Sequence, residues 1–153
     1  MPTPVESAQL ILKLFELRRD PTLREARAWF VGEFHPRTFE EFSAAAWGQR
    51  NASFRMVVGY WDMAASLVTH GAIDAEMFRA GNGEIVATYA KVEPFLAKIR
   101  ETSGISDFLR NLESVVLAMP GSAERLTRLK QQFRTLAEAQ GKKKTKKPAR
   151  SRR

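Results

Sequence analysis

The stretch Ala52–Thr69 reads ASFRMVVGYWDMAASLVT and carries only two charges, Arg55 and Asp62, seven residues apart. Phe54, Val57, Val58, Trp61, Ala65 and Val68 recur at helical spacing on one face, and Met56, Tyr60, Met63 and Leu67 form a second. A helix that is apolar around most of its circumference belongs in the middle of a bundle. Gly71 supplies its C-terminal stop. This segment is therefore expected to be the central helix of an all-α fold.

The flanking sequence repeats the pattern. Upstream, Thr3-Pro4-Val5-Glu6 has the form of a capping box with proline at the first helical position. It opens a first helix with Val5, Ala8, Ile11, Leu12 and Phe15 as its apolar stripe, which Leu10, Leu14 and Leu17 widen. Asp20-Pro21 starts a second helix, with Leu23, Ala26, Phe30 and Phe34 along one face. His35-Pro36 ends it, because the residue before a proline disfavours helical geometry. Thr38 opens a short third helix. Downstream, Asp74 caps a fifth helix that stops at Gly81-Asn82-Gly83. A sixth runs from Glu84 to about Thr102, and Pro94 is expected to kink or split it near Ala90 to Glu93. Ile105, Phe108, Leu109, Leu112, Val115, Val116 and Met119 predict a seventh. Leu126, Leu129, Phe133 and Leu136 predict an eighth, capped by Ser122, with Arg125, Arg128, Lys130 and Arg134 on its other faces. The expectation is a single all-α helical bundle of seven or eight helices over residues 1–140, followed by a disordered basic tail over 141–153.

The chain has 153 residues and a formal net charge of +8. Its last stretch contains Lys142, Lys143, Lys144, Lys146, Lys147, Arg150, Arg152 and Arg153 and no acid. The remaining 17 basic residues match the 17 acidic ones, so the basicity belongs to the tail and not to the folded body. Such a run binds polyanions by releasing their counterions. Nucleic acid, an acidic protein and an anionic lipid surface are the candidate partners. The tail has no aromatic side chain on which bases could stack, so any nucleic-acid binding should tolerate sequence. Helix eight followed by a polybasic run also fits a membrane surface, although its apolar stripe is better read as closing the bundle. A protein partner or homo-oligomer is a further possibility, which a contiguous exposed apolar patch would favour.

Catalytic machinery is sparse. There is no cysteine, which removes thiolate metal sites and cysteine nucleophiles. No Walker-type loop, HExxH or GxSxG occurs, and no cofactor or metal is expected. The two histidines, His35 and His70, lie at helix ends, where a charged imidazole suits the dipole. Tyr60, Asp62, Tyr89, Glu93 and Arg100, together with Glu84, are the polar residues on otherwise apolar helices. Their expected role is to fix helix register. The alternative is a small-ligand or enzymatic pocket between helices four and six. Trp47, close to the Gly48–Asn51 turn, is the tryptophan best placed for partner contact. No apolar run reaches the ~20 residues of a membrane span, and the N-terminal stretch lacks a basic signal-peptide start, so a cytoplasmic setting is expected.

Two stretches carry a family resemblance. Tyr60-Trp61-Asp62-Met63-Ala64-Ala65 leads to Gly71-Ala72-Ile73-Asp74, and Val92-Glu93-Pro94-Phe95 leads to Arg100. Together they resemble small bacterial helical proteins classed as domains of unknown function. The resemblance implies an α-helical bacterial domain and assigns no catalytic residue.

Overall fold

The structure is a computed structural model that describes residues 1–146. Lys147, Arg150, Arg152 and Arg153 of the basic stretch lie outside the described residues. Eight helices and no strand occur among the described residues: α1 (Pro4–Leu17), α2 (Pro21–Gly32), α3 (Phe39–Ala46), α4 (Asn51–Thr69), α5 (Ala75–Gly81), α6 (Glu84–Ser103), α7 (Arg110–Leu117) and α8 (Ser122–Thr145). Four of the expected caps act as their chemistry requires, whereas Ser122 does not cap α8: Gly121 holds the N-cap position and Ser122 Oγ donates to the Leu117 carbonyl at 3.4 Å. Thr3 Oγ1 accepts the Glu6 N–H at 3.2 Å while Glu6 accepts the Thr3 N–H at 2.8 Å. Asp20, Thr38 and Asp74 accept from Leu23, Glu41 and Met77 at 3.0, 3.2 and 2.8 Å. Each bond satisfies one of the donors that a helix N-terminus leaves free.

Helix α4 packs against both α2 and α7 and forms the centre of the bundle. Phe54, Trp61, Ala64 and Ala65 are fully buried. Phe42 stacks edge-on to Phe54 at 5.3 Å and lies 4.9 Å from Phe95, which joins α3, α4 and α6 through rings. Burial of α4 is nevertheless one-sided. Of its second apolar face Tyr60 is buried, while Met56 and Met63 are exposed. Gly71, at φ 73°, ends the segment in the left-handed region that glycine enters without cost.

The expected stripe of α1 is corrected. Val5, Leu12 and Phe15 are 66, 63 and 57% exposed, whereas Ser7 and Leu14 are buried. Polar tethers set this rotation. Ser7 Oγ accepts the Asp74 N–H at 3.0 Å, the Leu14 carbonyl accepts from Tyr60 Oη at 2.7 Å, and Arg18 pairs with Glu84 at 2.9 Å. Ser7, Leu14 and Arg18 share a face at helical spacing, and that face turns inward.

Three boundaries qualify the expectation. Of the two outcomes expected at Pro94, a kink or a split, the split does not occur, since α6 runs unbroken from Glu84 to Ser103. Ile85, Val92, Leu96 and Ile99 are buried along it, and their packing holds the helix together across the missing hydrogen bond. The seventh helix begins only at Arg110, because Leu109 sits at φ 56° and breaks the period begun at Ile105. The tail does not begin at Gly141, since α8 continues as helix to Thr145. The buried residue late in α8 is Ala137, while Leu136 is exposed.

Candidate functional site

The polar residues expected around a pocket between helices four and six are drawn to several different partners. Asp62 reaches from α4 to the start of α7, where Oδ1 accepts the Leu112 N–H at 2.9 Å and Oδ2 accepts from Asn111 Nδ2 at 3.3 Å. It caps a helix that has no cap of its own. Arg100 donates to the Phe108 carbonyl at 2.9 and 3.1 Å and to Glu113 at 2.8 Å, which clamps the strained turn at Leu109. Tyr89 donates to the same Glu113 at 3.3 Å. Tyr60 is bound to Leu14, Glu93 pairs with Lys130 at 2.8 Å, and Glu84 joins Arg18 and Arg27. Tyr89 and Arg100 meet at Glu113 with Glu93 close enough to act on Tyr89, Tyr60 lies within reach of the Glu84 group, and Asp62 stands apart at the start of α7.

A cavity of about 440 Å³ lies elsewhere, between the α2–α3 linker, α6 and α8. The linker contributes His35, Pro36 and Arg37. Helix α6 contributes Ala90, Lys91, Pro94 and Phe95. From α8 come Lys130, Phe133, Arg134 and Glu138. The wall therefore combines aromatic and proline surface with four cations. Pro94 has no N–H to give the Ala90 carbonyl, so the α6 wall carries a backbone acceptor without its helical donor.

Lys91 is 5% exposed. Its ammonium donates to the carbonyls of Phe30, Val31 and Phe34, the last two at 3.1 and 3.0 Å. These acceptors surround the C-terminus of α2, where carbonyls lack helical partners and the dipole is negative. The Nζ also lies 4.8 Å from the centre of the Phe133 ring and 5.3 Å from that of Phe30. Burial pushes the ammonium down to about 7, and the three carbonyls hold the proton against that push. No carboxylate pairs with Lys91 among the described residues.

His35 is 9% exposed, and its Nδ1 is buried without a hydrogen-bond partner. Burial and the neighbouring Lys91 charge push the imidazole down to about 4, with the Gly32 carbonyl opposing. The expectation of a charged histidine at a helix end is thus corrected for His35, which is neutral at pH 7. His70 does sit at the end of α4, with Nδ1 2.8 Å from the Ser66 carbonyl. The sequence marks His35 only as a helix-end histidine and gives Lys91 no role. The available signal was a lone lysine inside the buried run Tyr89-Ala90-Lys91-Val92, three residues before Pro94.

The basic stretch begins on α8 itself. Lys142, Lys143, Lys144 and Lys146 are exposed. Lys144 lines a second cavity of about 420 Å³ that shares His35, Pro36 and Arg37 with the first, and its charge helps to lower the Glu41 carboxyl, after the larger effect of Arg37. Trp47 is exposed on one side while its ring meets Phe42 and Phe54 edge-on. No group of three or more metal-ligating side chains occurs among the described residues, and no described helix is long and apolar enough to cross a membrane.

The model of one protein family, described as a domain of unknown function (DUF4760), matches residues 3–119 and so spans α1 to α7. No curated protein and no solved structure matches the chain.

Proposed function

Because the chain belongs to the DUF4760 family, a domain of unknown function, its activity has to be read from its own residues, and we propose that it is a non-enzymatic interaction protein whose basic C-terminal stretch contacts a polyanion. The observation that supports this most is the concentration of charge. Eight cations follow Gln140 without one acid, while the preceding residues are balanced. The first of those cations continue α8 as helix and are exposed, so they project from a folded body. Lysines in a last turn also suit the helix dipole. Nucleic acid is the leading partner, with acidic protein and anionic lipid as the other polyanions of this class, in a bacterial cytoplasmic setting.

The test compares the full chain with a variant carrying Lys142→Gln, Lys143→Gln, Lys144→Gln and Lys146→Gln. Binding to duplex DNA, single-stranded RNA and anionic vesicles is measured across a salt series. The full chain should bind with an affinity that falls steeply in salt, and the variant's duplex slope should shrink by roughly 0.9 for each lost phosphate contact. Equal binding by both chains, or none by either at physiological salt, refutes the reading. The preferred polyanion separates nucleic acid from membrane.

A second reading, a subunit of a homo-oligomer or larger complex, is supported by α1. Val5, Leu12 and Phe15 are exposed on one face, seven and three residues apart, positions that a heptad seam between helices also uses. Sedimentation velocity over a concentration series, with Leu12→Glu as the disrupting variant, tests it. A monomer at every concentration argues against self-association.

A further inference from the structure

We propose that the cavity between the α2–α3 linker, α6 and α8 binds a small organic anion, a carboxylate head carried on an apolar body. Its lining includes none of the exposed lysines Lys142, Lys143, Lys144 and Lys146, so the site is distinct from the basic stretch.

The charge balance selects the head group. Arg37 is paired with Glu41 at 2.7 Å and Lys130 with Glu93 at 2.8 Å. Glu138 lines the same wall and lies close enough to favour the Arg37 charge. Lys91 and Arg134 remain, and neither has an ion-pair partner among the described residues. The cavity wall itself carries four basic side chains and one carboxylate, Glu138, and Glu41 and Glu93 offset Arg37 and Lys130 from outside it, so the wall favours an anionic head. Lys91 cannot grip the head directly, since three carbonyls occupy its donors. It supplies a fixed field from a buried position, where charges act more strongly than at the surface. Arg134 is exposed on α8, and its guanidinium supplies the paired donors that match a carboxylate.

A second observation comes from His35. This side chain lines the cavity, is nine-tenths buried, and leaves Nδ1 without a partner. Buried polar atoms are ordinarily satisfied, and a ligand oxygen would complete this one when the nitrogen bears the proton. The body of the ligand follows from the remaining wall. Phe95, Phe133, Pro94 and Pro36 present apolar surface, and a cavity of this size suits a small molecule.

Full-length protein is titrated with three probes by NMR: hexanoate, 1-hexanol and inorganic phosphate. Hexanoate should saturate and shift the amides of His35, Lys91 and Phe133. Hexanol, which has the same chain without the charge, should bind at least about tenfold more weakly, as expected for loss of a charge-assisted contact. Phosphate, the head-like ion without a body, should not saturate at these residues. Arg134→Gln changes an exposed side chain, so the fold is kept. It should weaken hexanoate at least about fivefold and leave hexanol unchanged. The chain with its four α8 lysines changed to glutamine should bind hexanoate as before. The proposal is overturned if hexanoate fails to saturate at tens of millimolar, if hexanol equals it, if Arg134→Gln has no effect, or if the lysine variant abolishes binding.

Discussion

Lys91 and Asp62 do the same kind of work from opposite ends of a helix. Asp62 leaves α4 to cap the N-terminus of α7, and Lys91 leaves α6 to cap the C-terminus of α2. Each supplies charge of the sign the local dipole favours. Neither role was legible in the sequence, because a cap in its own chain segment has a fixed spacing, while these partners lie 50 and about 60 residues away. Asp62 stands out in the sequence as a charge on an apolar helix, but nothing there points to its partner. Lys91→Met keeps the apolar stem and removes the ammonium. It leaves three carbonyls without their donor, two of them in buried contacts, and should cost about 2–4 kcal/mol in urea unfolding. Asp62→Ala should cost about 1–2 kcal/mol in the same assay, the size of a lost helix cap, without altering hexanoate binding. A neutral result for Lys91→Met would show that water can replace its ammonium at those carbonyls.

The elements were legible where local chemistry sets them and less so where tertiary contacts do. Start signals at Thr3, Asp20, Thr38 and Asp74 each marked a true helix, because a cap is a local bond. The rotation of α1 was not local. Its apolar residues occupy more than one face, so periodicity offered several inward sides. The bonds of Ser7 and Leu14 to α5 and α4 chose the side that leaves Leu12 and Phe15 in solvent. Similarly, the heptad-like run from Ile105 could not reveal that Leu109 turns left-handed, since Arg100 and Asp62 hold that turn from other helices. A comparison within α1 tests the rotation. Leu14→Ala should lose about 2–4 kcal/mol, as a buried leucine does. Phe15→Ser should stay within about 0.5 kcal/mol, as a surface change does. If Phe15→Ser is the costlier, α1 faces the other way or is covered by a partner.

At the scale of the whole molecule, the sequence separated a charge-balanced body from a basic end, and α8 joins the two without a break. It did not reveal that the balanced body buries ionisable groups whose protons are linked to folding. His35 titrates at about 4 in the folded protein, against about 6.5 when exposed. Between those values the unfolded chain binds a proton that the native chain refuses, so stability falls as pH drops through this window. Glu84 works in the same sense. Burial pushes it up, but Arg27 and Arg18 more than reverse that, and it ends below the ordinary carboxylate range. Its contribution is present above the ordinary value and is lost as pH falls below it. Lys91 acts at higher pH. With its ammonium pushed down to about 7, the unfolded chain again holds the extra proton above that value, so its contribution to stability is lost as pH falls through about 7 and adds to the change measured from about pH 7.5 downward. Arg37, Lys91, Lys130, Arg134 and Glu138 are the other charged side chains that line the cavity with His35. Urea unfolding at about pH 7.5 and about pH 5 should therefore show a loss of about 1–2 kcal/mol from His35 alone, at most ~1.4 kcal/mol per pH unit. His35→Gln, which carries no titrating proton, should remove that part of the loss and leave the part due to the carboxylates and Lys91. An unchanged pH dependence in His35→Gln would mean that the imidazole is solvated enough to accept its proton in the folded state. A ligand carboxylate bound beside His35 would favour the charged imidazole and flatten the same profile, so repeating the measurement in saturating hexanoate reports on the cavity and the buried charge together.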